Sequence, residues 1–243
     1  MDSTTPIIFL HAFPLSAAMW RAQIPAVGDR AMLTPNFPGF GGRPVTEADL
    51  DRFAETIIKD MAPAGISRAV IVGLSMGGYV AFRLHALAPE RIAGLVLADT
   101  RAEADDEAGQ AVRTEQAARA RREGVGWLSE TLLPSLLGET TVRDRPEVVD
   151  TVRGMMEGAD REGVGRALEA MRDRPDSTPV LKEIDVPTLV LVGAEDTLTP
   201  ESKARAMADQ IPRARLEVLP GAGHLSNLEA PERFNEALGA FLG

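Results

Sequence analysis

Short apolar runs recur along the chain, and between them apolar residues return at helical spacing. Residues 6–10, 31–35, 69–74, 92–98, 188–192 and 215–219 read as strands, because each is a brief, mostly β-branched or aliphatic run closed by turn-forming residues. Residues 50–61 carry Leu50, Phe53, Ile57, Ile58 and Met61 on one helical face. Residues 17–24, 79–88, 201–211 and 231–242 are the other helical segments of this part, and the one after residue 78 stops at Pro89. Strands that are apolar on both faces and alternate with helices predict an α/β protein. Its sheet is mostly parallel, has about six strands and is covered by helices on both sides.

The rhythm breaks between residues 105 and 176. This stretch is rich in Arg, Glu and Ala and offers no convincing strand. Helical spacing predicts segments at 107–122, 125–133, 146–156 and 162–172. A helical insertion before the last two strands predicts a cap or lid (105–176) on a core made of 1–104 and 177–243. A separate helical domain is the other reading, although the piece is small to stand alone.

Composition narrows the possibilities. The chain has 243 residues, 44% hydrophobic and 26% charged, with a formal net charge of −10. That balance disfavours a nucleic-acid groove or an anionic membrane surface as partner. With no cysteine, disulfides, thiolate chemistry and cysteine metal sites are excluded. The three histidines, His11, His85 and His224, are too far apart for a local metal motif. The first residues have no basic segment, and no apolar run is long enough for a leader or a membrane span. The expectation is a cytoplasmic protein, monomeric or homodimeric, that acts on a small molecule without metal or cofactor.

One stretch concentrates the chemistry. In Gly73-Leu74-Ser75-Met76-Gly77 a buried strand turns sharply into a helix with a serine at the apex, and Gly73 and Gly77 leave room where side chains would clash. A serine hydroxyl needs an adjacent base that is oriented by an acid. In an open parallel sheet both should lie on loops after strand ends. His224 follows the last strand within Pro220-Gly221-Ala222-Gly223-His224, and Asp196 follows the strand at 188–192. Asp99, which ends another strand, is the competing acid, and Glu195 should point elsewhere. His11 suits a structural role in the loop after the first strand, and His85 lies inside the helix beyond Ser75. The backbone N–H groups of Met76 and Phe13 are candidates for an oxyanion hole.

Together His11-Ala12-Phe13-Pro14-Leu15, Pro38-Gly39-Phe40-Gly41, Gly73 to Gly78, Gly193-Ala194-Glu195-Asp196 and Gly223-His224-Leu225 resemble the α/β-hydrolase superfamily. Within it the chain is similar to small carboxylesterases and to the 3-oxoadipate enol-lactonase group. The order Ser75, Asp196, His224 is that of the superfamily. There are two departures. Ala12 stands where glycine is common, and the family's leading antiparallel hairpin is expected to be missing or shortened, leaving a sheet edge with consequences for solubility or dimerisation.

The resemblance implies ester hydrolysis through an acyl-enzyme, with Ser75 as nucleophile, His224 as base and Asp196 as acid. Phe13, Trp20, Trp127, Leu132, Met155, Met156 and Leu198 are candidate pocket residues, pointing to short or medium acyl esters. A lactone hydrolase acting on a carboxylate-bearing substrate is the alternative, and it would need arginines facing the pocket. The cap offers Arg113, Arg119, Arg121 and Arg122, although a solvated helix face is their simpler reading. Perhydrolysis, C–C cleavage and a non-enzymatic ligand receptor also use this fold. A carboxylate-nucleophile dehalogenase is disfavoured by serine at position 75.

Overall fold

The computed structural model describes residues 2, 4–47 and 49–243. The four central strands are built from the most apolar runs and are buried almost without interruption: β1 (Ile7–Leu10), β3 (Ala69–Leu74), β4 (Ile92–Ala98) and β5 (Thr188–Gly193). The shorter β2 (Met32–Leu33) and the mixed β6 (Ala214–Leu219) form the edges and are partly exposed. The order is β2-β1-β3-β4-β5-β6, and every pairing is parallel. Among the described residues the sheet is therefore wholly parallel.

Right-handed crossovers set the layers. Leaving β1, the chain steps to β2 at one edge, then returns and moves steadily towards the other edge. Helices α1 (Leu50–Met61), α2 (Met76–Leu87) and α8 (Glu201–Ala208) follow that second direction and share one face. Asp49 caps α1 by accepting the Arg52 N–H at 2.7 Å, and Leu50, Phe53, Ala54, Ile57 and Met61 are its buried stripe. The helix predicted at 17–24 is instead two 3₁₀ turns, Ala17–Trp20 and Ile24–Val27, interrupted before Pro25. They pack with α10 (Pro231–Leu242) on the opposite face, where the rings of Trp20 and Phe234 lie 6.0 Å apart.

Between β4 and β5 lie α3 (Glu107–Glu123), α4 (Gly126–Leu136), α5 (Glu139–Asp144), α6 (Pro146–Glu157) and α7 (Arg161–Arg172). No strand interrupts them. Helix α3 packs on α7, while α4 packs on α6. The first pair meets through Ala117 and Ala120 against Val164, Ala167 and Leu168. Arg121 reinforces that pair by bridging Glu162 at 2.9 Å and Glu169 at 2.7 Å. Two segments went unpredicted, α5 and the short α9 (Ser226–Glu229). Among the described residues no helix is long and apolar enough to cross a membrane.

Candidate active site

The order in which the chain adds strands reverses between β1 and β3, and parallel sheets open a crevice beyond the strand ends at such a point. The loops after β1, β3, β5 and β6 converge there. Ser75 sits between β3 and α2 with φ of 54°, a left-handed conformation for a residue with a side chain. It is held there by its own N–H bonded to Ala98 O at 3.0 Å, while Thr100 donates to the Ser75 carbonyl at 2.8 Å. The flanking glycines make this turn possible. A Cβ on Gly73 would lie 2.4 Å from Gly77 O, and one on Gly77 would lie 2.1 Å from Leu10 O.

A continuous hydrogen-bonded chain runs inward from the serine. Ser75 Oγ lies 2.8 Å from His224 Nε2, and His224 Nδ1 lies 2.8 Å from Asp196 Oδ2. Asp196 also accepts the N–H groups of Leu198 and Thr199 at 2.8 and 2.9 Å, and the Thr199 hydroxyl at 2.7 Å. Burial opposes its charge, but the imidazole and these donors outweigh that and hold its carboxyl below the ordinary range. Asp196 is thus a fixed anion at neutral pH.

Asp99, the competing acid, is committed elsewhere. It accepts the Gly193 N–H at 2.8 Å and the Ser226 hydroxyl, tying the end of β4 to the end of β5 and the start of α9. Burial, with the nearby charge of Asp196, pushes its carboxyl well above the ordinary value. Glu195 turns away from His224 and accepts from the Thr140 N–H at 2.9 Å. Glu229 likewise accepts Gly138 N–H at 2.7 Å and Leu225 N–H at 3.0 Å. These two carboxylates fasten the start of α5 to the loops that carry Asp196 and His224.

On the other side of the crevice, Phe13 follows β1 and Met76 begins α2. Among the described residues neither N–H donates a hydrogen bond, so both are free for a developing oxyanion. His11 pins this loop. Its Nε2 accepts the Phe37 N–H at 3.0 Å, so the proton rests on Nδ1, which donates to Ala12 O at 2.9 Å. Burial pushes this imidazole down to about 4, from about 6.5 in the unfolded chain. Between those values the unfolded chain holds a proton that the folded one lacks. Stability should therefore fall as pH drops from about 6.5 to about 4, by up to about 3 kcal/mol at about 1.4 kcal/mol per unit. Denaturant midpoints at pH 7.5 and pH 5 should show a smaller difference for His11→Gln than for the parent; equal differences would remove His11 as the cause.

A cavity of about 290 Å³ opens on Ser75 and His224. Its apolar wall is Phe13, Tyr79, Val112, Leu132, Leu136, Met171 and Leu198, with Arg101, Asp105, Arg113, Gln116 and Thr199 as polar members. Of the candidate pocket residues, Phe13, Leu132 and Leu198 line this cavity. Four other candidates are not in this lining. Trp20 is fully buried in the core, its ring 5.0 Å from Phe9. Trp127 bonds Gly124 O at 2.8 Å and carries the Arg119 guanidinium 4.3 Å over its ring, away from the cavity. Met155 and Met156 belong to α6, which packs on α4 and α5; Met156 is buried there, and Met155 is partly buried against the core. Tyr79, Leu136, Met171 and Thr199 went unrecognised, although Tyr79 lies one helical turn beyond Ser75 and could have been found from that spacing. Among the described residues no group of acids and histidines could hold a metal ion.

The fold and the crevice define an α/β hydrolase, and comparison agrees. Residues 7–237 match the Alpha/beta hydrolase family, and the chain belongs to it. It is 28% identical over 240 residues to 3-oxoadipate enol-lactonase 2 of Acinetobacter baylyi, covering 97% of this chain and 88% of that one. Among solved structures it resembles a thermophilic esterase from Thermogutta terrifontis with malate bound, at 39% identity and TM-score 0.96, covering 98% and 89% of the two chains. It also resembles the enol-lactonase from Burkholderia xenovorans LB400, at 27% identity and TM-score 0.91, covering 98% and 91%.

Proposed function

We propose that the protein is a serine carboxylic-ester hydrolase that works through an acyl-enzyme. The observation carrying this reading is the unbroken chain from Ser75 through His224 to Asp196, with 2.8 Å at both links. His224 Nε2 takes the Ser75 proton as Oγ attacks the acyl carbon, and Asp196 stabilises the imidazolium that forms. The Phe13 and Met76 N–H groups meet the tetrahedral oxyanion. His224 then protonates the leaving alcohol and activates the water that releases the acid. The helical segment 105–176 acts as a cap whose α3, α4 and α7 faces select the substrate. The esterase and enol-lactonase relatives support this class of reaction.

Lactone hydrolysis is the second reading, because one of the four cap arginines considered, Arg113, lines the cavity. Arg121 faces Glu162 and Glu169, and Arg119 and Arg122 face Glu123. The same triad opens a cyclic ester without change.

The test is a fluorophosphonate probe, which forms a stable adduct only with an activated serine. The expected result is one adduct per chain, mapped by mass spectrometry to Ser75, with parallel loss of p-nitrophenyl butyrate hydrolysis. Labelling at another residue, or none together with no hydrolysis, would overturn the proposal.

A further inference from the structure

The cavity beside Ser75 holds a charge arrangement that ester hydrolysis does not need. Asp105, between β4 and α3, is buried, and three guanidiniums converge on its carboxylate. Arg101 lies at 2.5 Å, Arg174 at 2.8 Å, and Arg113 donates through Nε. Burial alone would raise the Asp105 carboxyl, but the bonds from Arg174 and Arg113 hold it well below the ordinary range, so it remains an anion. Three cations against one anion leave a surplus of two positive charges at this wall, in a chain whose net charge is −10. Glu103 does not cancel it, being matched by Lys203 at 2.7 Å.

The three arginines are not equivalent. Arg174 is buried and engaged. It bonds Met171 O at 2.8 Å and Glu103 O at 2.9 Å, and its guanidinium lies 4.4 Å over the Tyr79 ring. Arg101 and Arg113 line the cavity instead. Among the described residues Arg101 bonds only through Nη2; its Nε, like that of Arg174, is buried without a partner, and its Nη1 is the donor left for a ligand. Arg113 uses Nε on Asp105, while its Nη1 reaches only Met171 Sδ, at 3.6 Å. Unsatisfied guanidinium donors in a partly desolvated wall suit a bidentate carboxylate. The position also suits one, because Arg101 and Arg113 line the same cavity as Ser75.

We propose that Arg101 and Arg113, held in register by Asp105, bind a free carboxylate on the substrate. The preferred substrates are then half-esters of short dicarboxylic acids. This rests on the ester-hydrolase reading above.

The experiment compares monomethyl and dimethyl esters of glutarate and adipate. The parent protein should favour each half-ester over its diester by at least about 10-fold in kcat/KM, with the preference shrinking as salt rises. Arg113→Gln and Arg101→Gln should each lower half-ester kcat/KM about 10- to 100-fold, chiefly through KM, and lower diester kcat/KM clearly less, so that the half-ester preference collapses. Arg113→Lys should recover part of the loss. A parent that takes diesters equally well, or variants that lose both substrates alike, would overturn the proposal. A second arm needs no turnover: calorimetric binding of free adipate to the Ser75→Ala protein, expected to weaken with salt and to vanish in Ser75→Ala/Arg113→Gln. Hydrolysis of neutral esters without adipate binding or half-ester preference would sink this inference alone. Adipate binding without any ester turnover would sink the hydrolase reading and leave the carboxylate site standing.

Discussion

Replacing Ser75 with alanine is expected to lower kcat on p-nitrophenyl butyrate about a million-fold, leaving only what positioning and the oxyanion donors achieve with water. The loss should be this large because a methyl group cannot form the acyl bond, and His224 then has no proton to accept. The fold should survive the change. Alanine meets the same steric penalty at φ of 54° as serine does, and the lost bond to His224 Nε2 is worth about 1 kcal/mol. Ser75→Gly should be equally inactive yet more stable than Ser75→Ala, since glycine adopts positive φ without penalty. Ester turnover measured beside thermal unfolding checks both statements. Near-parental hydrolysis by Ser75→Ala would remove the nucleophile assignment, and equal unfolding temperatures for the alanine and glycine variants would remove the argument from strain.

The elements most legible in the sequence are those where one physical signal dominates. Helix α1 runs over Leu50–Met61, where the apolar period and the Asp49 cap coincide. β4 occupies Ile92–Ala98, an apolar run with nothing competing. Legibility fails where signals conflict. Proline is expected to end α4 near residue 133, but packing carries the helix through Pro134 to Leu136, and that last turn places Leu136 on the cavity wall. Pocket membership fails for another reason, since periodicity gives the face of a helix but not what lies opposite. Met155, Met156 and Met171 look alike in the sequence, yet only Met171 lines the cavity, because its helix α7 packs on α3 while α6 packs behind α4. The same blindness hides the Asp105 cluster. Arg101, Arg113 and Arg174 are spread over 73 residues, and only the return of the chain from α7 brings Arg174 against Asp105. The residues Ser75, Asp196 and His224 are easier to find, because each is the polar side chain that strand-end loops must supply.

Asp196→Asn is expected to lower kcat about ten-thousand-fold while Asp99→Asn lowers it less than ten-fold. The two acids lie close enough to influence one another, but they differ in what they hold. Asp196 faces His224 Nδ1 at 2.8 Å, whereas both Asp99 oxygens are engaged by Gly193 and Ser226. An amide at position 196 can turn its NH2 towards Nδ1, leaving the proton on Nε2, where it faces Ser75 and blocks general-base action. The imidazolium of the transition state would then also lack its counter-ion. Asp99 cannot take over, because its carboxyl is pushed towards the neutral form by burial, and leaving its partners would strand the Gly193 N–H inside the protein. Measured on one ester at one pH, with the adduct yield from a fluorophosphonate as a second readout, the two variants should separate by about three orders of magnitude. A large loss in Asp99→Asn with a small one in Asp196→Asn would transfer the acid role to the loop after β4. Large losses in both, with unfolding temperatures unchanged, would mean that Asp99 contributes to catalysis by fixing the loops that aim Asp196 and His224.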